Sequence, residues 1–272
     1  MFPNHLYRGH AGAGWRLESS LERSAVRWNH PFDALRQAES MMMREFQRQA
    51  HHYMADLPEV DCYIDWLAIM QHYGTPTRLL DFTLSYYVAA FFAMEGAESD
   101  SAIWAINQEV LQAAVANQYS IEQQSDYLSN NALRLDTAGK TFRDQCPAPG
   151  VIHFEPFKQH QRLIVQQGLF VLPVAAHISF EANLLAGLGL HSGTLDNPTT
   201  FAFDGKAPLP VDVIGTPIVK VVLDGRMRSE ALKDLSRMNI TAATLFPGLD
   251  GFSRSLTSVL RVFDALRASM RP

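Results

Sequence analysis

Gln71-His72-Tyr73-Gly74-Thr75-Pro76-Thr77-Arg78-Leu79-Leu80-Asp81-Phe82-Thr83, followed at once by Leu84-Ser85-Tyr86-Tyr87-Val88-Ala89-Ala90-Phe91-Phe92-Ala93, divides into three parts. Gly74 and Pro76 bracket a tight turn, since glycine tolerates positive φ and proline pushes Thr75 into an extended conformation. An extended run over Thr77–Thr83 is expected next. A helix then spans about Ser85 to Met94, with Thr83 or Ser85 as N-cap and Gly96 as stop. Because that helix is apolar on nearly every face, it belongs inside the molecule. Its lead-in is polar, with His72, Tyr73, Thr77, Arg78, Asp81 and Thr83 within twelve residues. Buried charges need partners. Arg78 and Asp81 therefore either pair with each other or line a cleft.

Working outward, Asp61 to Tyr73 reads as a short helix leading into this stretch, and Phe32 to Tyr53 as a longer one. In the longer helix Phe32, Leu35, Met42, Phe46 and Ala50 recur at helical spacing. His5–His10 is a short strand carrying Arg8, Ala11–Trp15 a flexible turn, and Trp15–Leu21 a second short element. On the other side Ser101–Ile106 is a compact strand and Asn107–Ala116 begins a helix. Residues 117–150, rich in Gln, Ser and Asn, read as an insertion or lid. Val151–Pro156 and Arg162–Leu172 read as strands, the second interrupted by Gln166 and Gln167. Strand alternation would send those two amides to opposite faces. Ile178–Leu190 is mixed, Pro198–Pro217 loop-rich, Ile218–Leu223 a strand and Ser229–Met238 a helix. A turn at Phe246–Gly251 precedes a last helix from about Ser253 to Met270. Strands and helices without regular interleaving indicate an α+β fold, a mixed sheet core with flanking helices, in a single domain over 1–272.

With 272 residues, 47% hydrophobic and 19% charged, the chain can bury one large core or two modest ones. A formal net charge of -5 argues against nucleic acid as a bulk electrostatic partner but allows a local basic pocket. No basic-then-apolar leader occupies Met1–Arg8, and no apolar run reaches the eighteen residues of a membrane span. The cytoplasm is the expected compartment, with no membrane partner. Cys62 and Cys146, lacking any Cys-x-x-Cys context, read as reduced small hydrophobes. No phosphate loop, nucleophile elbow or His/Cys metal spacing occurs, and the glycines at 9, 12 and 14 and at 187, 189 and 193 miss the dinucleotide fingerprint.

Leu6-Tyr7-Arg8-Gly9-His10, Trp15-Arg16-Leu17-Glu18-Ser19-Ser20-Leu21 and above all residues 71–83 with Ala89–Ala93 resemble the FRG domain family, named for an aromatic-Arg-Gly motif. Tyr7 stands for the usual Phe and Phe82 for a usual Trp. Arg162, Gln166, Gly168, Phe170 and the run Leu245–Gly251 resemble further recurrent features of such proteins. More distantly, an early Arg-bearing strand, a Ser/Thr strand leading into an Ala-rich helix, and a late strand with a carboxylate or amide are similar to ADP-ribosyltransferases. That second resemblance implies an ADP-ribosyltransferase-like fold and NAD as substrate. It also implies ADP-ribosyl transfer or NAD hydrolysis, with a protein or nucleic-acid acceptor, as a toxin or phage-defence effector with an antitoxin or operon partner. It assigns Arg8 to the pyrophosphate or ribose, and His72, Tyr73, Thr77, Arg78, Asp81, Thr83 and Arg162 to the nucleotide. Gln166 would occupy the place of the catalytic glutamate, with Glu155 as the fallback. The alternative is a non-catalytic module that binds a nucleotide or a protein in the same pocket.

Overall fold

Strand β1 (His5–His10) holds the middle of a seven-stranded sheet whose other members are β2 (Leu80–Thr83), β3 (Ser101–Asn107), β4 (Val151–Phe154), β5 (Gly168–Pro173), β6 (Thr199–Phe203) and β7 (Ile218–Leu223). The spatial order is β4-β5-β2-β1-β3-β7-β6. Neighbours are antiparallel throughout except β6 and β7, which run parallel. The computed structural model describes residues 4–118, 130–144, 148–191, 195, 199–203 and 216–257.

Both faces of the sheet are covered, so most strands read as apolar runs rather than alternating ones. Alternation still sorts their residues. In β4 and β5, Ile152, Phe154, Phe170 and Leu172 join one cluster with Trp66, Met70 and Met43. These come from α3 (Tyr63–His72) and α2 (Leu35–Ala50). Val151, Leu169 and Val171 join another, with Leu6, Trp104 and Phe180, the last on α8 (Phe180–Gly187). The third cluster sets Tyr7, Ile103 and Val221 against the apolar helix α4 (Tyr86–Glu95) and against Leu232 and Leu235 of α9 (Arg228–Arg237).

The aromatic-Arg-Gly triplet follows from that packing. Tyr7 is 1% exposed and meets Tyr86 of α4 edge to face at 5.7 Å. Gly9 points the same way, two residues on. A Cβ there would lie 2.0 Å from the Ala89 carbonyl oxygen, so only glycine lets α4 lie this close to β1. Arg8, between them, is directed to the other side.

The expected turn is present, with Gly74 at φ 85 and Thr75 N–H donating to Met70 O at 2.9 Å. Ser85 caps α4 by accepting from Val88 N–H. The extended lead-in is shorter than expected, because Thr77–Leu79 are held by side chains rather than by a sheet neighbour. Other expectations are corrected or refined. Residues 161–172 are not one strand: α7 (Gln161–Val165) and a turn at Gln166–Gln167, with Gln167 at φ 47, precede β5. The mixed segment 178–190 contains α8, and the loop-rich 198–217 contains β6. Trp15–Ser19 forms no regular element; helix α1 (Ser20–Trp28) starts after it, with Ser19 and Glu22 forming a capping box. Cys62 is a free thiol, as the reduced reading expects, and is exposed. Cys146 and most of the final helix expected over 253–270 lie outside the described residues; within them, α10 (Ala242–Leu245) and α11 (Leu249–Ser255) follow α9, and α11 takes up part of the expected turn. Within the segment expected as a lid, α5 (Gln108–Gln118) leads in and α6 (Asn131–Asp144) packs on the core, with Ala138 fully buried. Among the described residues no helix is long and apolar enough to cross a membrane.

Candidate functional site

β1 and β2 share a single rung, Tyr7 opposite Thr83. Beyond it the two strands part where the ladder would have continued through Arg8, Gly9 and His10. Arg8 spans the gap with its side chain, Nη1 donating to the backbone oxygen of Asp81. A cleft of about 660 Å³ opens at this split. Its walls come from β1, β2, the C-terminal end of α3, the N-terminal part of α7 and the segment 11–18, with Arg23 of α1 and Phe92 of α4. The volume lies within the range of pockets that take drug-sized ligands, about 300–1,000 Å³.

The lining is cationic although the whole chain is acidic. Arg8, Arg16, Arg23 and Arg162 border the cleft, against the carboxylates of Glu18 and Asp81. Arg16 is paired with Glu181, and Arg23 donates to Glu18 O. Arg8 donates from Nε to His10 Nε2 at 3.0 Å, and among the described residues its Nη2 makes no hydrogen bond. The Arg162 guanidinium lies 4.6 Å from the centre of the Phe246 ring and likewise makes no hydrogen bond there. Burial lowers the pKa of both arginines, and Asp81 counteracts it in each case. They remain charged, since a guanidinium is not deprotonated in proteins.

Three histidines face the same space. His10 is held down to about 3, first by burial and then by the Arg8 guanidinium. His160 falls to about 4 through burial, then through His72 and Arg162. His72 is lowered by burial and by Arg162. The rings of His72 and His160 lie 3.9 Å apart. His160 Nδ1 also caps α7 by accepting from Leu163 N–H at 3.1 Å. At neutral pH the cleft therefore offers permanent positive charge on arginines and neutral imidazoles between them.

Of the residues expected at the site, Arg8, His72, Asp81, Thr83, Arg162 and Gln166 line this cleft. Four others do not. Arg78 is 5% exposed, donates from Nε to Glu39, and stacks 4.9 Å over Phe142. Its partner is thus Glu39 and not Asp81, and it shares no cleft with Arg8. Thr77 is fully buried, its hydroxyl donating to Gln71 and its N–H to Ser20 Oγ at 3.0 Å. Tyr73, 61% exposed, borders a separate apolar groove with Met42 and Phe46. Glu155 follows β4, accepts from Gln159 at 3.0 Å and lies outside the cleft lining.

Gln166 reaches the cleft as the C-cap of α7, not by strand alternation. Its side-chain amide donates to Leu245 O at 2.8 Å, and its backbone oxygen accepts from Thr83 at 2.7 Å. Gln166 is thereby a brace tying β2 and α10 to the cleft wall. Asp81 keeps an exposed carboxylate that accepts from Gln71 at 3.0 Å. His10, Trp15, Arg23 and His160 also line the cleft; no local pattern marks them as cleft residues, although His10 and Trp15 lie in the strings that carry the family resemblance. Among the described residues no group of three or more His, Cys, Asp or Glu side chains could hold a metal ion.

Fold and site together define an α+β protein with an arginine-lined cleft at a split in its sheet. Residues 3–102, which run from before β1 into β3, match the model of the FRG domain family. No curated protein and no solved structure matches the chain.

Proposed function

We propose that the cleft binds a dinucleotide of the NAD class by its phosphates and cleaves the bond between nicotinamide and ribose, passing ADP-ribose to water or to a macromolecular acceptor. The observation that carries this reading is the pair Arg8 and Arg162. They come from opposite halves of the chain, line one cleft, and keep guanidinium N–H groups unspent among the described residues. Such forks suit phosphate oxygens, and in a confined site their field draws anions to an otherwise acidic protein.

The chemistry needs a negative group facing the ribosyl cation as the C1′–N bond breaks and its electron pair leaves with nicotinamide. Gln166 is neutral and already committed to Leu245. Asp81 is the better candidate, as an exposed carboxylate on the cleft oriented by Gln71. In hydrolysis, water adds at C1′ and its proton passes to Asp81 and then to solvent. NAD and water thus give ADP-ribose, nicotinamide and a proton. An activity that drains NAD suits a toxin or phage-defence effector checked by an antitoxin or operon partner.

Nicotinamide release from NAD by the purified protein tests this, with Asp81→Asn alongside. Release that falls at least a hundredfold in Asp81→Asn while NAD still binds supports it. A second reading, nucleotide binding without turnover, is favoured by the neutral Gln166 and predicts NAD binding with no release from either protein.

A further inference from the structure

Trp15 is 60% exposed on the edge of the cleft. Other large aromatics of the chain, Trp28 and Phe157 among them, are exposed as well, but Trp15 alone of these borders the cationic cleft, where an indole offers an apolar face and a polar N–H to a ligand. The ring is also held in place. The backbone N–H of Trp15 donates to Gly12 O at 3.1 Å, closing the turn that brings the ring back over Gly12, where an added Cβ would meet the indole nitrogen at 2.5 Å. The ring therefore lies on the bare backbone of Gly12, and a side chain there would push it from this position. His10 flanks it at 6.1 Å between ring centroids, and Arg16 and Arg23 border the same cleft.

An aromatic ring fixed at the rim of an arginine-lined cleft is the arrangement by which proteins stack a base while cations hold its phosphates. We infer that Trp15 is a stacking platform for the base of the cleft's ligand, so that the ligand class is a base-bearing nucleotide rather than a bare phosphate or sugar phosphate. The inference rests on the nucleotide reading of the cleft and adds the residue that holds the base. It also gives the ribbon of glycines after β1 a task, since Gly12 shapes the seat of the ring.

Titration of the full chain with ADP-ribose, ribose 5-phosphate and inorganic pyrophosphate, followed by tryptophan fluorescence and by calorimetry, tests it. Trp66 and Trp104 are buried, and Trp28, though exposed, lies outside the cleft lining, so a ligand-induced change in emission that disappears in Trp15→Phe reports on Trp15. The expected affinity for ADP-ribose falls in the order wild type, Trp15→Phe, Trp15→Ala, with about a tenfold loss in the last. Pyrophosphate binding should stay unchanged across the three. An equal loss for pyrophosphate would make Trp15 a structural residue and overturn the inference, as would unchanged ADP-ribose binding in Trp15→Ala. Failure of the wild type to bind any of the three probes overturns the cleft reading itself, and the inference with it.

Discussion

Replacing Arg78 by alanine removes the guanidinium from Glu39, whose side chain is fully buried, and leaves that carboxylate with the Arg78 backbone N–H at 2.8 Å. Breaking one side of a buried ion pair costs about 3–5 kcal/mol, because the remaining charge is out of water and here keeps only the backbone N–H and the more distant Arg36 against it. The buried carboxyl can escape by taking up a proton, which for an ordinary glutamic acid at pH 7 costs about 3.7 kcal/mol. The two routes agree on a loss near 4 kcal/mol, and the second gives it a pH signature. Protonation becomes easier as pH falls, so the penalty relative to wild type should shrink by about 1.4 kcal/mol per unit and reach roughly 1 kcal/mol near pH 5. Urea unfolding of both proteins at pH 7 and pH 5 measures it. A double change, Glu39→Met with Arg78→Met, should recover most of the loss, since a well-packed apolar pair avoids the desolvation cost. A loss below about 1 kcal/mol at pH 7, or one that grows toward pH 5, would refute the buried-pair account. So would a specific loss of ADP-ribose binding by the folded variant.

Gly9→Ala should cost on the order of 3 kcal/mol or more, read as a lower melting temperature, because its Cβ would overlap the Ala89 carbonyl and force β1 from α4. Gln166→Ala should cost about 1–3 kcal/mol by leaving the buried Leu245 carbonyl unpaired, whereas Gln167→Ala, outside the cleft lining, should leave nucleotide binding unchanged. Stability should fall as pH drops below about 6.5. His10 and His153, both held near 3 by burial, stay neutral in the folded state while their unfolded forms take up protons. The limiting slope for these two protons is about 2.7 kcal/mol per pH unit, increased by His160 and His72, which burial lowers and which act in the same direction, and reduced by Glu22 and Asp65, which burial raises and which act in the opposite one. A urea midpoint that stays flat from pH 7 to pH 5 contradicts this.

Local signals carried the fold further than the site. The turn at Gly74, the cap at Ser85 and the buried helix α4 depend on residues within a few positions, and each formed as composition indicated. At 161–172 the apolar content was right but the period was misjudged: His160 capping Leu163 N–H starts a helical turn that the strand reading overlooked. Partners were the least legible. Arg78 and Asp81 are three residues apart, yet Arg78 turns to Glu39 and Asp81 to the cleft, because packing rather than sequence distance decides which charge is buried. Arg8 and Arg162 were named as binding residues by resemblance. Their presence on one cleft wall depends on the strand order β5-β2-β1, which no local pattern encodes.

Arg162 is the best residue for testing the cleft directly, since it is exposed and makes no hydrogen bond among the described residues, so removing its charge should cost little stability. Isothermal titration of ADP-ribose into the wild type and into Arg162→Gln, at low and high salt, measures the central claim. One site per chain is expected. Affinity should fall at least tenfold in Arg162→Gln at an unchanged melting temperature, and should weaken with salt as screened phosphate contacts do. Wild-type protein that gives no binding heat at millimolar ADP-ribose, or an Arg162→Gln variant that binds as the wild type does, contradicts an anion-binding cleft at the split between β1 and β2.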